Sequence, residues 1–236
     1  MHSSDTLSPT EPPQSGQDHD SGQRDRSSTS SKHPRRRFLL GGAAVLGLAA
    51  TGTSAWALNR FVIEHVEVGD VTALEAKAQK AAGSSATPAT NVTVGDNSYS
   101  SSNTSIKIEQ VSTGSGSDTV TYYVADVKLT NATDLRSAFA NNSYGTNIVA
   151  KPTTMASEHD AVLAINGDYY GFRSDGILIR NGVIYRDSGT RDGMAFYSDG
   201  RVEVYDETAT NAQTLLDAGV WNTLSFGPAL VNNGQV

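Results

Sequence analysis

Apolar and polar positions alternate with a strand's period between residues 106 and 129, and apolar residues are densest at Ala161–Ile165. Ile106–Val111 and Thr119–Leu129 flank a polar stretch at 112–118, the pattern of an antiparallel hairpin with one apolar and one wet face. The Ala161–Ile165 run, bounded by turn residues, predicts a short buried strand that ends in Asn166-Gly167-Asp168. Ile177–Ile179 and Val183–Tyr185 enclose Asn181-Gly182, a pair suited to a tight hairpin because both turn positions need positive φ. Asp199-Gly200 divides Met194–Tyr197 from Arg201–Tyr205 in the same way. Helical stretches are expected at Val71–Ala82, capped by Asp70 and stopped by Gly83, and at Asp134–Ala140, Thr153–His159 and Asn211–Ala218, the last capped by Thr210. Leu224–Val231 reads as a strand and Asn233-Gly234 as a turn into another, so the domain is expected to continue past Val236. Residues 106–236 therefore form an α+β domain, a mixed sheet with short helices.

The N-terminal third has a different pattern. Residues 1–37 are rich in Ser, Pro, Gln and Asp and lack the apolar surface needed to offset ordering, so they are expected to be a disordered cytoplasmic tail. Residues 38–59 carry no charge, and as a helix would span roughly 33 Å against a bilayer core of ~30 Å. Lys32–Arg37 supplies a basic flank before this stretch, which orients the remainder outward by the positive-inside rule. A single-pass signal anchor with its C-terminal domain outside the cell membrane is the expectation. The alternative is secretion: Arg35-Arg36-Arg37 resembles a twin-arginine signal, and Ala55-Trp56-Ala57 a cleavage site. Residues 60–105 read as a helix followed by a Ser/Thr-rich stalk.

Composition narrows the chemistry. The chain of 236 residues has no cysteine and a formal net charge of -7. Thiol catalysis, thiolate metal sites and disulfides are excluded, and nucleic acid is not expected as a partner. His159 is the only histidine in 106–236 and is expected to be structural, and no metal-ligand spacing occurs, so neither metal nor cofactor is expected. Carboxylates, arginines and amides between Asn166 and Asp192 remain. Asp168 and Asp175 suit acid–base work on a sugar, and Arg173, Arg180, Arg186 and Arg191 can grip an anion with a planar fork. Blander readings stand beside these. Asn166 and Asp168 can cap a strand end, Asp175 and Asp199 can be turn residues, and Arg180, Arg186 and Asp187 can lie on solvated hairpin faces.

Three motifs carry a resemblance: Ala164–Gly171, Gly176–Gly182 and Phe226–Val231. In this order they resemble the phosphodiester glycosidase family, which includes the enzyme that uncovers mannose-6-phosphate by removing N-acetylglucosamine, and bacterial relatives linked to exopolysaccharide. The resemblance is closest over 150–236 and looser over 106–150. It implies an α+β domain that hydrolyses a sugar-1-phosphodiester, with a carbohydrate phosphodiester as its substrate. By position it implies that Asn166, Gly167 and Asp168 form the site at a strand end, with Gly176 at a turn and Gly227 in a later glycine motif. Asp168 and Asn166 are the catalytic candidates; Gly167, Tyr170, Asp175, Gly176, Arg191 and Gly227 are the substrate-binding candidates, with Arg191 on phosphate. The family's later Arg-Thr and Asp-Gly-Gly-Gly-Ser segments do not occur before Val236. A membrane-tethered glycan-binding or assembly protein without catalysis, using Tyr169, Tyr170 and Phe172 as sugar platforms, is the alternative.

Overall fold

The computed structural model describes residues 52–82, 88–231 and 234–236. The disordered tail expected at 1–37, most of the expected span at 38–59 and Asn233 of the last turn lie outside them. Residues 52–61 are helical, and among the described residues no helix is long and apolar enough to cross a membrane.

Among the described residues, eleven strands form four antiparallel sheets, accompanied by the 52–61 helix, three further short α-helices and several 3-10 turns. β1 (His65–Val68) pairs with β6 (Tyr144–Thr146). β2 (Thr93–Gly95), β3 (Ser98–Ser100), β4 (Thr104–Thr113) and β5 (Val120–Leu129) follow one another in a four-stranded sheet. β7 (Gly176–Arg180) and β8 (Val183–Ser188) form a hairpin. β9 (Asp192–Tyr197) lies between β10 (Val202–Asp206) and β11 (Val220–Ser225). With α1 (Thr72–Ala81), α2 (Pro152–Glu158) and α3 (Ala212–Asp217) the fold is α+β as expected, but four separate antiparallel sheets replace the expected mixed sheet, because every described strand pairs antiparallel.

The core is built around β7. Side chains alternate across a strand, so Ile177 and Ile179 enter one cluster with Ala195, Tyr197, Ala212, Leu215 and Val220. Leu178 points the other way, into Val71, Phe139 and Tyr144. Both faces of β7 are thus buried, which explains an uninterrupted apolar run in place of alternation. Each fully buried Ile or Leu contributes roughly 1.5–3 kcal/mol. The turn after β7 has the expected geometry, with φ of 49° at Asn181 and 75° at Gly182. α1 begins at Thr72, one residue later than expected and with Val71 at its N-cap position, while Asp70 Oδ1 accepts from the Thr72 N–H at 2.9 Å. α3 begins one residue later than expected, with Asn211 instead of Thr210 as its cap: Thr214 N–H donates to Asn211 Oδ1 at 2.8 Å.

Several expectations are corrected. Ala161–Ile165 is not a buried strand: residues 161–167 are irregular and exposed, and Ile165 is 91% exposed. Both sides of β7 are already engaged, one by β8 and the other by the Thr223 side chain of β11, and this run lies outside the sheets. Asp134–Ala140 is not a helix but a 3-10 turn at Ala132–Asp134 followed by extended chain. Its backbone is claimed elsewhere: Leu135 O accepts from Trp221 Nε1 at 3.2 Å and Asn222 Nδ2 at 3.0 Å. Ser137 N–H and O bond to the Asn181 side chain. The last strand starts at Val220 and stops at Ser225, so Phe226–Val231 is irregular. Within the expected spacer, β2 and β3 join the β4–β5 sheet, and Val71 of the preceding segment is in the core. The β4–β5 hairpin forms as expected, pairing Thr104 with Leu129 through Thr113 with Val120, but buries little: Val120, Tyr122, Tyr123 and Val124 are all exposed.

Candidate active site

The irregular segment after α2 turns inward at Asp168, at the meeting point of β7 and β11. The Asp168 side chain is 2% exposed and its partner Arg180, the last residue of β7, 4%. Arg180 Nη2 donates to Asp168 Oδ1 at 2.9 Å, and the Ser225 N–H at the end of β11 donates to Oδ2 at 2.9 Å. Arg173 Nη2 stands 3.7 Å from the same Oδ2 and donates to the Ser225 carbonyl. Arg180 Nη1 donates to the Thr223 carbonyl. Burial pushes the Arg180 guanidinium below its usual value, and the Asp168 carboxylate opposes that shift.

A second, more open pair lies beside the first. Arg191 Nη2 donates to Asp175 Oδ1 at 2.9 Å, and Arg191 Nη1 to Ser225 Oγ at 3.2 Å. Arg173 Nε approaches Asp175 Oδ1 to 3.9 Å, so Arg173 spans the two pairs. Arg186 donates to the Tyr170 carbonyl at 3.0 Å and the Arg173 carbonyl at 2.7 Å, fixing the loop between Asp168 and β7. Gly176 opens β7 at φ 94°, and a side chain there would meet Ser225, with its Cβ at 2.9 Å. Both backbone conformation and close approach therefore demand glycine.

Glu207 holds the site from behind. Its buried carboxylate accepts from Ile177 N–H at 2.9 Å, Thr190 N–H at 3.0 Å and Arg191 N–H at 3.3 Å. Thr223 bridges β11 and β7, its Oγ1 accepting from Ile179 N–H and donating to the Ile177 carbonyl, both at 2.9 Å. The guanidinium groups of Arg173, Arg180 and Arg191 thus meet the carboxylates of Asp168 and Asp175, three cations against two anions, a balance that favours an anionic ligand.

Of the residues expected from sequence, Asp168, Asp175, Gly176 and Arg191 come together here. Tyr170 is half-buried, its ring 5.2 Å from Phe139, and burial raises its phenol above the usual value. Gly167 is exposed, and a Cβ there would meet Leu224 at 3.9 Å. Asn166 is exposed and makes no hydrogen bond to the described residues. Gly227 precedes Pro228 through a cis peptide bond and packs against Asp192, where a Cβ would come within 3.1 Å. Arg180 and Arg186 are not on a solvated face. Their positions on β7 and β8 look like ordinary hairpin alternation, and only the second layer behind the hairpin buries them. Ser225, Thr223 and Glu207 escaped the sequence reading; the one signal for them is polar residues within the run Val220–Ser225. Asp199 is a turn residue, accepting from Arg201 N–H at 3.0 Å. His159 is exposed at the end of α2. Among the described residues, no group of three or more His, Asp or Glu could hold a metal ion.

Asp168 and Asp175 thus converge with guanidinium groups able to hold an anion, residue types that acid–base and anion-stabilising chemistry uses. Residues 159–236 are similar to the family model of the phosphodiester glycosidases, and the whole Asp168–Gly227 site falls within that match. The chain is also 30% identical over 101 residues to an uncharacterised SPbeta prophage-derived protein, YomE, of Bacillus subtilis (strain 168). That match covers 39% of this chain and 15% of the relative's length. No solved structure matches the chain.

Proposed function

We propose that the protein hydrolyses a sugar-1-phosphodiester, of N-acetylglucosamine type, to the free sugar and a phosphomonoester. The observation that carries this reading is the partly exposed Arg191–Asp175–Arg173 group, held beside the buried Arg180–Asp168 pair. Water adds across the bond between the anomeric carbon and the phosphate oxygen, and the electron pair of that bond leaves on the phosphate. Such a leaving group is already an anion, so its stabilisation by preorganised donors matters more than its protonation. Arg191 and Arg173 supply those donors. Asp168 has both oxygens engaged by Arg180 and Ser225, and in this geometry it orients the guanidinium groups. Asp175 Oδ2 has no described partner, which leaves it open to a substrate hydroxyl or the attacking water. Asn166 offers an unengaged amide to the sugar.

The reading extends to the cell. Residues 38–59 anchor the chain with the domain outside the cell membrane, in envelope or exopolysaccharide metabolism; secretion after twin-arginine-type cleavage is the alternative. Membrane fractionation of the full chain, with and without residues 38–59, separates the two.

The test of the chemistry is release of free sugar from a model N-acetylglucosamine-1-phosphodiester. Arg191→Ala is expected to lower kcat/KM by about 10²–10³-fold, the usual cost of one transition-state donor. Unchanged turnover would remove Arg191 from the mechanism. The saturation of Asp168 also favours a second reading, glycan binding without catalysis, which predicts sugar binding but no release.

A further inference from the structure

Asp168 and Ser225 are hydrogen-bonded at 2.9 Å, so the residues that follow them, Tyr169 and Phe226, emerge side by side. Their rings stack with centroids 5.7 Å apart and planes 29° from parallel. Both are 61% exposed, although each is large and apolar. The neighbouring Tyr170 behaves differently: its ring turns inward against Phe139 and Tyr144. The stacking contact is worth only about 0.5–1.5 kcal/mol, and it leaves the outer ring faces in water at the rim of the arginine cluster.

We propose that Tyr169 and Phe226 form a platform for the sugar ring of the ligand, while Arg191 and Arg173 take its phosphate. The inference rests on the proposed sugar-phosphodiester reading and assigns the two halves of that ligand to two adjoining surfaces. A pyranose is amphipathic, with C–H bonds on its faces and hydroxyls at its rim. The electron-rich face of an aromatic ring attracts those polarised C–H groups, and burying them removes apolar surface from water. Mostly apolar and aromatic walls with a few placed polar groups are also the usual make-up of a small-molecule site. Because backbone neighbours of Tyr169 and Phe226 are bonded to each other, the platform is tied to the position of Asp168. Of the set Tyr169, Tyr170 and Phe172 expected from sequence, Tyr169 belongs to the platform, whereas Tyr170 is packed away and its place is taken by Phe226, from the other end of the motif series.

The experiment is ligand-observed NMR titration of wild type, Tyr169→Ala, Phe226→Ala, Tyr169→Phe and Phe226→Tyr. Free N-acetylglucosamine and inorganic phosphate serve as separate probes. Each alanine variant is expected to weaken sugar binding by about tenfold or more, an effect of the size one lost ring contact gives. The aromatic variants should retain sugar binding, and all five proteins should bind phosphate alike, which also reports an intact site. With a model phosphodiester, the loss should appear in KM more than in kcat. Sugar binding that is absent in wild type, or unchanged in both alanine variants, overturns the platform. Sugar binding that depends on the rings, without release of sugar from the phosphodiester, supports the platform and overturns the hydrolase reading. Turnover with KM unaffected by either alanine does the reverse.

Discussion

At the scale of single residues, the site is governed by the cost of burying charge. Arg180 and Asp168 are nearly inaccessible, and a buried ion pair is far more sensitive to loss of one member than its own net contribution suggests. Asp168→Asn leaves the Arg180 guanidinium buried without its counter-charge. The expected loss of unfolding free energy is about 3–5 kcal/mol, measured by urea denaturation. A loss below about 1 kcal/mol, the range of exposed pairs, would mean that Asp168 is not what holds Arg180. Thr223→Val tests a neutral contact of the same kind. The two side chains have nearly the same shape, but valine cannot accept the Ile179 N–H, which is buried and bonded to Thr223 Oγ1. An unsatisfied buried donor costs about 1–3 kcal/mol, so Thr223→Val should destabilise by that amount. An unchanged denaturation midpoint would show that another acceptor replaces Thr223.

At the scale of elements, the decisive relation is between β7 and the segment 161–167. β7 has its ladder with β8 on one side and the Thr223 side chain on the other, and Asn222 Oδ1 accepts from Asn181 N–H in the turn that follows. The Ala161–Ile165 run therefore lies outside the sheet, and Ala161 N–H to Ala156 O is the one backbone hydrogen bond described for residues 161–167. Backbone without hydrogen bonds and side chains without contacts mark the low-stability part of a fold. Limited proteolysis with chymotrypsin is accordingly expected to cut first at Leu163 or Tyr169, before any site in β7–β11. First cleavage within β7, β9 or β11 would contradict this order of stability. The Asn181-Gly182 turn is the opposite case. Local preference, Asn181's hydrogen bonds to Ser137 and burial agree there, so sequence pattern and structure coincide.

At the scale of the whole molecule, tyrosines set the alkaline limit. Burial raises the phenols of Tyr144, Tyr170, Tyr185 and Tyr205 above the ordinary value of 10.0. The folded state then holds these protons more tightly than the unfolded chain. Between the unfolded and folded values the unfolded chain binds fewer protons, so stability falls as pH rises. The contribution is complete below about pH 10 and is lost progressively above it. Tyrosinate absorbance and circular dichroism followed together should show these phenols ionising as the fold is lost. Free ionisation of all tyrosines near pH 10 with the fold retained would contradict their burial.

What the sequence determined by itself is whatever depends on near neighbours. Asn181-Gly182 and Asp199-Gly200 turn because glycine and asparagine tolerate positive φ. The chain enters α1 just after Asp70, whose carboxylate can accept the otherwise orphan Thr72 N–H. The motifs around Asp168, Gly176 and Gly227 resemble a family whose model matches the same stretch. The tertiary structure alone decided the rest. Arg180 is buried because β11 and the Asp168 loop close over the end of β7, residues far apart in sequence. Glu207 and Thr223 enter the site because they answer backbone groups of β7, a demand invisible along the chain. Residues 134–140 lose their helix because Trp221, Asn222 and Asn181 claim that backbone, and 161–165 lie outside the sheets beside a β7 already engaged on both sides. Local propensity is worth less than about 1 kcal/mol per residue, whereas an unsatisfied buried polar group costs about 1–3 kcal/mol; where the two conflict, long-range hydrogen bonding prevails.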